Sequence, residues 1–150
     1  MSTLGAAELQ LILVEVAGQS WGLPIAVVRE VLGPQSITPV PLAPASVAGS
    51  INLRGRIVTV LDLRTTLGVG RTEAPKKAME IVVEHDGELY SLLIDAIGDA
   101  LTLPAAAVEP PPQTMERRWR SVTDGIVKLD GKLLLVLALD RLLDAVAVPA

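Results

Sequence analysis

The chain has 150 residues and a mass of 15.8 kDa, and half of them are hydrophobic, yet only 2% are aromatic and none is Phe. A formal net charge of -4 and a pI near 5.0 set its field against nucleic acid and anionic membrane surfaces. The absence of cysteine excludes a disulfide framework and thiolate metal sites, and apolar runs such as Leu133 to Leu139 fall far short of the roughly 20 residues that a membrane helix needs.

A chain of this length buries about two thirds of its unfolded surface, enough for one independently folding domain over 1–150. With Val, Leu, Ile and Ala filling the core, thin interdigitated layers of strands are the favoured packing. The start, Met1 to Gln10, lacks a basic secretory n-region, so the expected location is the cytoplasm, with no direct membrane insertion.

Strand-length apolar runs recur between turn signals. Leu9–Val16 is the first. Ile25–Leu32 carries Ile25, Val28 and Leu32 on a helical spacing and is read as a short helix. Ile57–Leu63 is the next strand, followed by Met79–Glu84 and Glu88–Ile94 around Asp86-Gly87. The span 104–112 holds four prolines and reads as an extended connector, since proline cannot donate to a central ladder. Gly125–Leu129 and Lys132–Leu139 flank Asp130-Gly131, and Asp140–Ala147 is read as a closing helix. Asp-Gly tolerates the positive φ angles of a two-residue hairpin, so both dipeptides are hairpin turns. The expected class is all-β.

The chain also repeats itself. At a spacing of 69, Val14-Glu15 falls on Val83-Glu84, Gly18 on Gly87, Trp21 on Tyr90, Leu23 on Leu92, Ile25 on Ile94, Val28 on Ile97, Glu30 on Asp99 and Leu32 on Leu101. At a spacing of 76, Gly49, Ile51, Leu53, Gly55, Arg56, Ile57, Val60, Leu63 and Leu67 fall on Gly125, Val127, Leu129, Gly131, Lys132, Leu133, Val136, Leu139 and Leu143. Halves 9–68 and 79–143, each a strand–strand–helix–strand–strand–helix unit, imply two similar subdomains packed as one folding unit. Closing each into a small barrel removes most exposed strand edges.

Catalytic chemistry is thin. His85 is the single histidine and sits beside a turn, so neither a metal cluster nor a Ser/His/Asp triad is argued from it. Asp62 and Asp140 precede short helices and read as N-caps. Gly68-Val69-Gly70-Arg71 lacks the third glycine of a dinucleotide loop and the Gly-Lys-Ser/Thr of a P-loop, and reads as a helix C-cap with a flexible link. Arg117-Arg118-Trp119-Arg120 is one basic cluster on an acidic protein, with an indole suited to covering the barrel seam; no nucleic-acid partner is expected. No catalytic residue, metal or cofactor is assigned.

The stretch Asn52-Leu53-Arg54-Gly55-Arg56-Ile57-Val58-Thr59-Val60-Leu61-Asp62-Leu63-Arg64 resembles the signature of the chemotaxis coupling protein (CheW-like) family. Trp21-Gly22-Leu23-Pro24-Ile25, Val28-Arg29-Glu30-Val31, Ile94–Asp99 and Gly125–Leu143 resemble its other segments, so the likeness runs from about Gln10 to Leu143. Ala138, where an acidic residue is common, and Trp21, where Tyr is commoner, depart from the pattern.

The resemblance implies two SH3-like five-stranded β-barrels with short connecting helices and no enzymatic activity. It implies binding of methyl-accepting chemoreceptor cytoplasmic tips in a groove between the barrels. It also implies binding of the regulatory domain of a CheA-type histidine kinase through a barrel end, at membrane-associated receptor arrays. Residue by residue it carries partner binding to Val28, Glu30, Gly49 and Arg54. Their plain readings are a core residue, a solvated helix residue, a bulge or turn glycine, and the polar residue of a turn.

Arg54 stands apart because the duplication matches it to Asp130, and a hairpin needs no arginine. The leading function that the resemblance implies is a receptor–kinase adaptor. The alternative is a divergent stand-alone regulatory module of a motility or developmental pathway that binds only one of the two partners. An enzyme or small-ligand binder is a third reading, disfavoured by the missing acid–base groups.

Overall fold

The computed structural model describes residues 7–145. Its strands are β1 Glu8–Val16, β2 Gln19–Pro24, β3 Val28–Leu32, β4 Val47–Leu53, β5 Arg56–Leu61, β6 Met79–His85, β7 Glu88–Ile94, β8 Ala96–Pro104, β9 Thr123–Leu129 and β10 Lys132–Leu137. Three short helices accompany them: α1 Leu63–Thr66, α2 Arg117–Ser121 and α3 Leu139–Ala145. The strands make two five-stranded sheets, barrel I in the order β8-β1-β2-β10-β9 and barrel II in the order β3-β6-β7-β5-β4.

The two orders are one order written twice. In barrel I, Val14 pairs with Trp21 and Trp21 with Leu135; in barrel II, Val83 pairs with Tyr90 and Tyr90 with Thr59. The bulge between Val47 and Gly49 has its counterpart between Thr123 and Gly125. Each barrel nevertheless draws on both halves of the chain, because β3, β4 and β5 join β6 and β7 while β8, β9 and β10 join β1 and β2. Each half has five strands, yet they are divided between the two barrels, two going to one and three to the other.

Four two-residue turns shape the hairpins, at Ala17-Gly18, Arg54-Gly55, Asp86-Gly87 and Asp130-Gly131. Both central residues of each have positive φ, as Asp130 at 45° and Gly131 at 79° illustrate. This mirror-image turn matches the right-handed twist of the flanking strands.

The chain departs from the sequence reading in three places. Ile25–Leu32 is a 3-10 turn, Ile25–Val27, followed by strand β3. A bulge between Val28 and Glu30 breaks the two-residue alternation and leaves apolar residues at a helix-like spacing. The first half is accordingly five strands and one α-helix, α1, and the second five strands and two, α2 and α3. The closing helix begins at Leu139, so Asp140 lies in its first turn instead of capping it, and positions 146–147 of the expected helix lie outside the described residues.

Strand alternation explains how so many apolar residues are buried. Val14, Val16, Trp21, Leu23, Ile81, Val83, Leu92, Ile94, Leu135 and Leu137 point into one core shared between the barrels. The residues between them face inward: Val82 and Leu93 into barrel II with Ile51, Leu53, Val58 and Val60, and Leu134 and Val136 into barrel I with Leu11 and Leu103. The central strands are buried on both faces and read as continuous apolar runs. Each fully buried Leu, Ile or Val contributes roughly 1.5–3 kcal/mol, so the shared core joins the barrels firmly.

Candidate partner-binding site

β3 and β4 are the two ends of the barrel II sheet. The chain beyond β3 closes the gap between them, because Thr38 and Ser50 exchange backbone hydrogen bonds, N to O, of 2.9 and 2.8 Å. That crossing needs a residue without a side chain beneath it. Gly49 is buried at φ +153°, and a Cβ there would meet the Thr38 carbonyl oxygen and lie 2.7 Å from Ile37 Cγ2. Its counterpart Gly125 lies under Val108 and Glu109, where Glu109 bridges to Ile126. Gly49 is thus an architectural residue of the bulge and offers no group at the surface.

The same seam carries the charged pair. Arg54 sits at the β4–β5 turn with φ 50° and reaches across 24 positions of sequence to Glu30 on β3. Its Nη1 donates to Glu30 Oε2 at 3.2 Å, and its Nη2 donates to Glu30 Oε1. This fork-to-carboxylate geometry fixes direction as well as charge. The hydrogen bonds hold the Glu30 carboxyl below its ordinary value, and Glu30 raises the Arg54 guanidinium above its own. The Arg54 side chain is 70% exposed and that of Glu30 31%, so the pair stabilises the fold little and is displayed to solvent.

Val28, the first residue of β3, pairs with Val83 and packs half-buried against the shared core. The structure therefore joins Glu30 and Arg54, sets Val28 on the same strand facing the inter-barrel core, and places Gly49 beneath the seam. The pairing of Glu30 with Arg54 was not legible in the sequence, since it depends on the closure that brings the sheet ends together.

The other singled-out residues have structural partners. Asp62 caps α1 and also accepts from Thr72 N at 2.7 Å and Thr72 Oγ1 at 2.8 Å. Arg64 donates to Asp95 Oδ2 at 2.7 Å, and Asp95 also takes the Ala17 N–H at 3.0 Å, tying the two barrels together. Gly68, at φ 74°, ends α1 under the Arg118 side chain. In the basic cluster, Arg120 donates to Gln113, and Trp119 lies 5.6 Å, centroid to centroid, from the buried Trp21 over the shared core. His85 Nε2 stands 3.3 Å from Asp86 Oδ2 at the β6–β7 turn. Among the described residues no three His, Cys, Asp or Glu groups converge as a metal site, and no helix is long and apolar enough to cross a membrane.

This doubled barrel is matched among known proteins. A scaffolding protein, TtCheW from Thermoanaerobacter tengcongensis, superposes with a TM-score of 0.77 at 32% identity, covering 87% of this chain and 89% of its own. The chemotaxis protein CheW of Rhizobium meliloti is 33% identical over 131 residues, 87% of this chain and 84% of that protein. CheW of Thermotoga maritima is 28% identical over 150 residues, covering 99% and 97%. The CheW-like domain family matches residues 10–147, nearly the whole double barrel, and the chain belongs to that family.

Proposed function

We infer that this protein is a non-catalytic cytoplasmic adaptor that couples chemoreceptor signalling tips to a CheA-type histidine kinase. The observation that carries the reading is the exposed Glu30–Arg54 fork at the seam of barrel II. It is an exposed, oriented pair that the fold needs little and that suits carboxylates or free carbonyls on a partner helix. Val28, on the same strand, supplies the apolar shoulder beside it. Family membership supports an adaptor role, and the relatives are named as chemotaxis and scaffolding proteins.

The test is Arg54→Asp. Aspartate tolerates the positive φ of this turn, so the melting temperature should stay close to that of the parent. Charge reversal beside Glu30 should weaken binding to the receptor tip, to the kinase regulatory domain, or to both, by roughly tenfold or more in separate titrations. Unchanged affinity for both partners would overturn the reading. A parent protein that binds only one of them would favour a single-partner module instead.

A further inference from the structure

Two features of the sequence take no part in the Glu30–Arg54 seam: the basic run Arg117-Arg118-Trp119-Arg120 and the glycine that ends α1. In the fold they meet. The Arg118 side chain lies across Gly68, where a Cβ would collide with its Nη1, so the bare glycine backbone makes room for the guanidinium. Among the described residues that guanidinium has no hydrogen-bond or ion-pair partner. Its neighbours are engaged, Arg120 by Gln113, Arg64 by Asp95, and Arg141 by the carbonyls of Ser121 and Thr123.

Beside Arg118 is a solvent-facing pocket of about 350 Å³, lined by Ser46, Thr65, Thr66, Arg118, Ser121 and two alanines. Its polar side chains are one cation and four hydroxyls with no carboxylate, on a chain whose net charge is -4. The hydroxyls of Thr65 and Ser121 donate to the carbonyls of Gly70 and Arg118 at 3.3 and 2.7 Å. That of Thr66 is buried and has no partner among the described residues. No residue of the Glu30–Arg54 seam and none of the four hairpin turns lines the pocket.

The second copy shows how the same place is filled when it serves the fold alone. At the spacing of 76, Thr65 falls on Arg141 and Thr66 on Leu142. Leu142 is fully buried in the shared core, and Arg141 spends its donors on backbone carbonyls. An aliphatic side chain therefore suits the position of Thr66, where a buried hydroxyl without an acceptor costs stability unless something outside the chain supplies one.

We propose that this pocket binds a small molecule bearing a phosphate group, paired with Arg118 and held by the hydroxyls of Ser46 and Thr66. The guanidinium fork meets two phosphate oxygens with parallel N–H donors. The hydroxyls come from the chain ahead of β4 and from α1, so donors on three segments converge on an anion whose oxygens are tetrahedral. A planar carboxylate would be used up by the fork. Thr66 Oγ1, tied to nothing, turns to the anion about χ1, where threonine in a helix has two rotamers to choose from. The site shares no residue with the seam and stands apart from the function assigned there.

The probes are inorganic phosphate, glycerol 3-phosphate and acetate, each titrated into the full chain at constant ionic strength and followed by amide NMR. Saturable shifts at Ser46, Thr66 and Ser121 are expected with both phosphates, at least tenfold tighter than with acetate. Tighter binding of glycerol 3-phosphate would assign the site to phosphate esters, and equal or weaker binding to the free ion. Arg118→Gln should weaken phosphate binding tenfold or more, whereas Arg117→Gln, on the same helix but outside the pocket, should leave it unchanged. Thr66→Val should weaken it severalfold with the melting temperature unchanged or higher, a test that does not depend on the Arg118 variant. Absence of saturable shifts, acetate bound as tightly as phosphate, equal losses in Arg117→Gln and Arg118→Gln, or an affinity untouched by Thr66→Val would overturn the proposal.

Discussion

Barrel I and barrel II share strand order, register, turns and bulges, yet they fill the same interior place differently. Barrel I has Leu11 against Gly22, packed so closely that a Cβ on Gly22 would lie 2.8 Å from Leu11 Cδ1. Barrel II has Glu80 and Ser91 there. Glu80 is fully buried, its Oε1 accepts from Ser91 Oγ at 2.6 Å, and its Oε2 has no hydrogen-bond partner among the described residues. Burial pushes the Glu80 carboxyl up, an effect the Ser91 hydrogen bond opposes. The comparison teaches that the fold is specified by the apolar and turn positions the copies share. Inside those limits, one barrel accommodates a buried acid and the other a leucine packed on glycine.

The largest difference between the copies should come from their crossing glycines. Gly49→Ala forces a Cβ against the Thr38 carbonyl at a strained φ, and overpacking plus backbone strain should cost on the order of 3 kcal/mol or more. Gly125→Ala meets a methyl of Val108 and, at 2.9 Å, the Glu109 carbonyl oxygen, but without the strained φ of Gly49, and should cost less. Equal losses in chemical denaturation would show that the two crossings are mechanically alike.

A smaller effect is expected at the hairpin tips. Gly131 has φ 79° with open space around its Cα, so Gly131→Val is penalised by backbone conformation alone, about 1–3 kcal/mol. A melting temperature unchanged within error would refute the turn's role.

The smallest effect sharpens the contrast between interiors. A carboxyl whose folded pKa lies above its ordinary 4.5 contributes stability that is complete below that value and is lost as pH rises through the folded pKa. The charged groups on the same face nearby are Glu30 on β3, engaged by Arg54, and Glu84 on β6, engaged by Arg29 at 2.9 Å; neither supplies a cation to Glu80. Glu80→Leu combined with Ser91→Gly writes the pair of barrel I into barrel II. It should raise stability at neutral pH by on the order of 1 kcal/mol and flatten its fall with rising pH, measured by urea unfolding at several pH values. An unaltered pH slope would remove Glu80 as its source.

The sequence by itself determined the class, the two copies and their register, because turn dipeptides and apolar alternation are local and were written twice. Val14 with Val83, and Gly49 with Gly125, were legible for that reason. It also marked Arg54 as the odd member of its pair. Only the tertiary structure decided which strands share a barrel. Two copies with the same pattern pair equally well within a half or across halves, and the shared core between Trp21, Leu92 and Leu135 is what records the exchange. β3 was misread because its bulge disguises the period of two. The Glu30–Arg54 fork was invisible for a physical reason: it is made where a sheet closes on itself, between residues whose proximity no local spacing encodes.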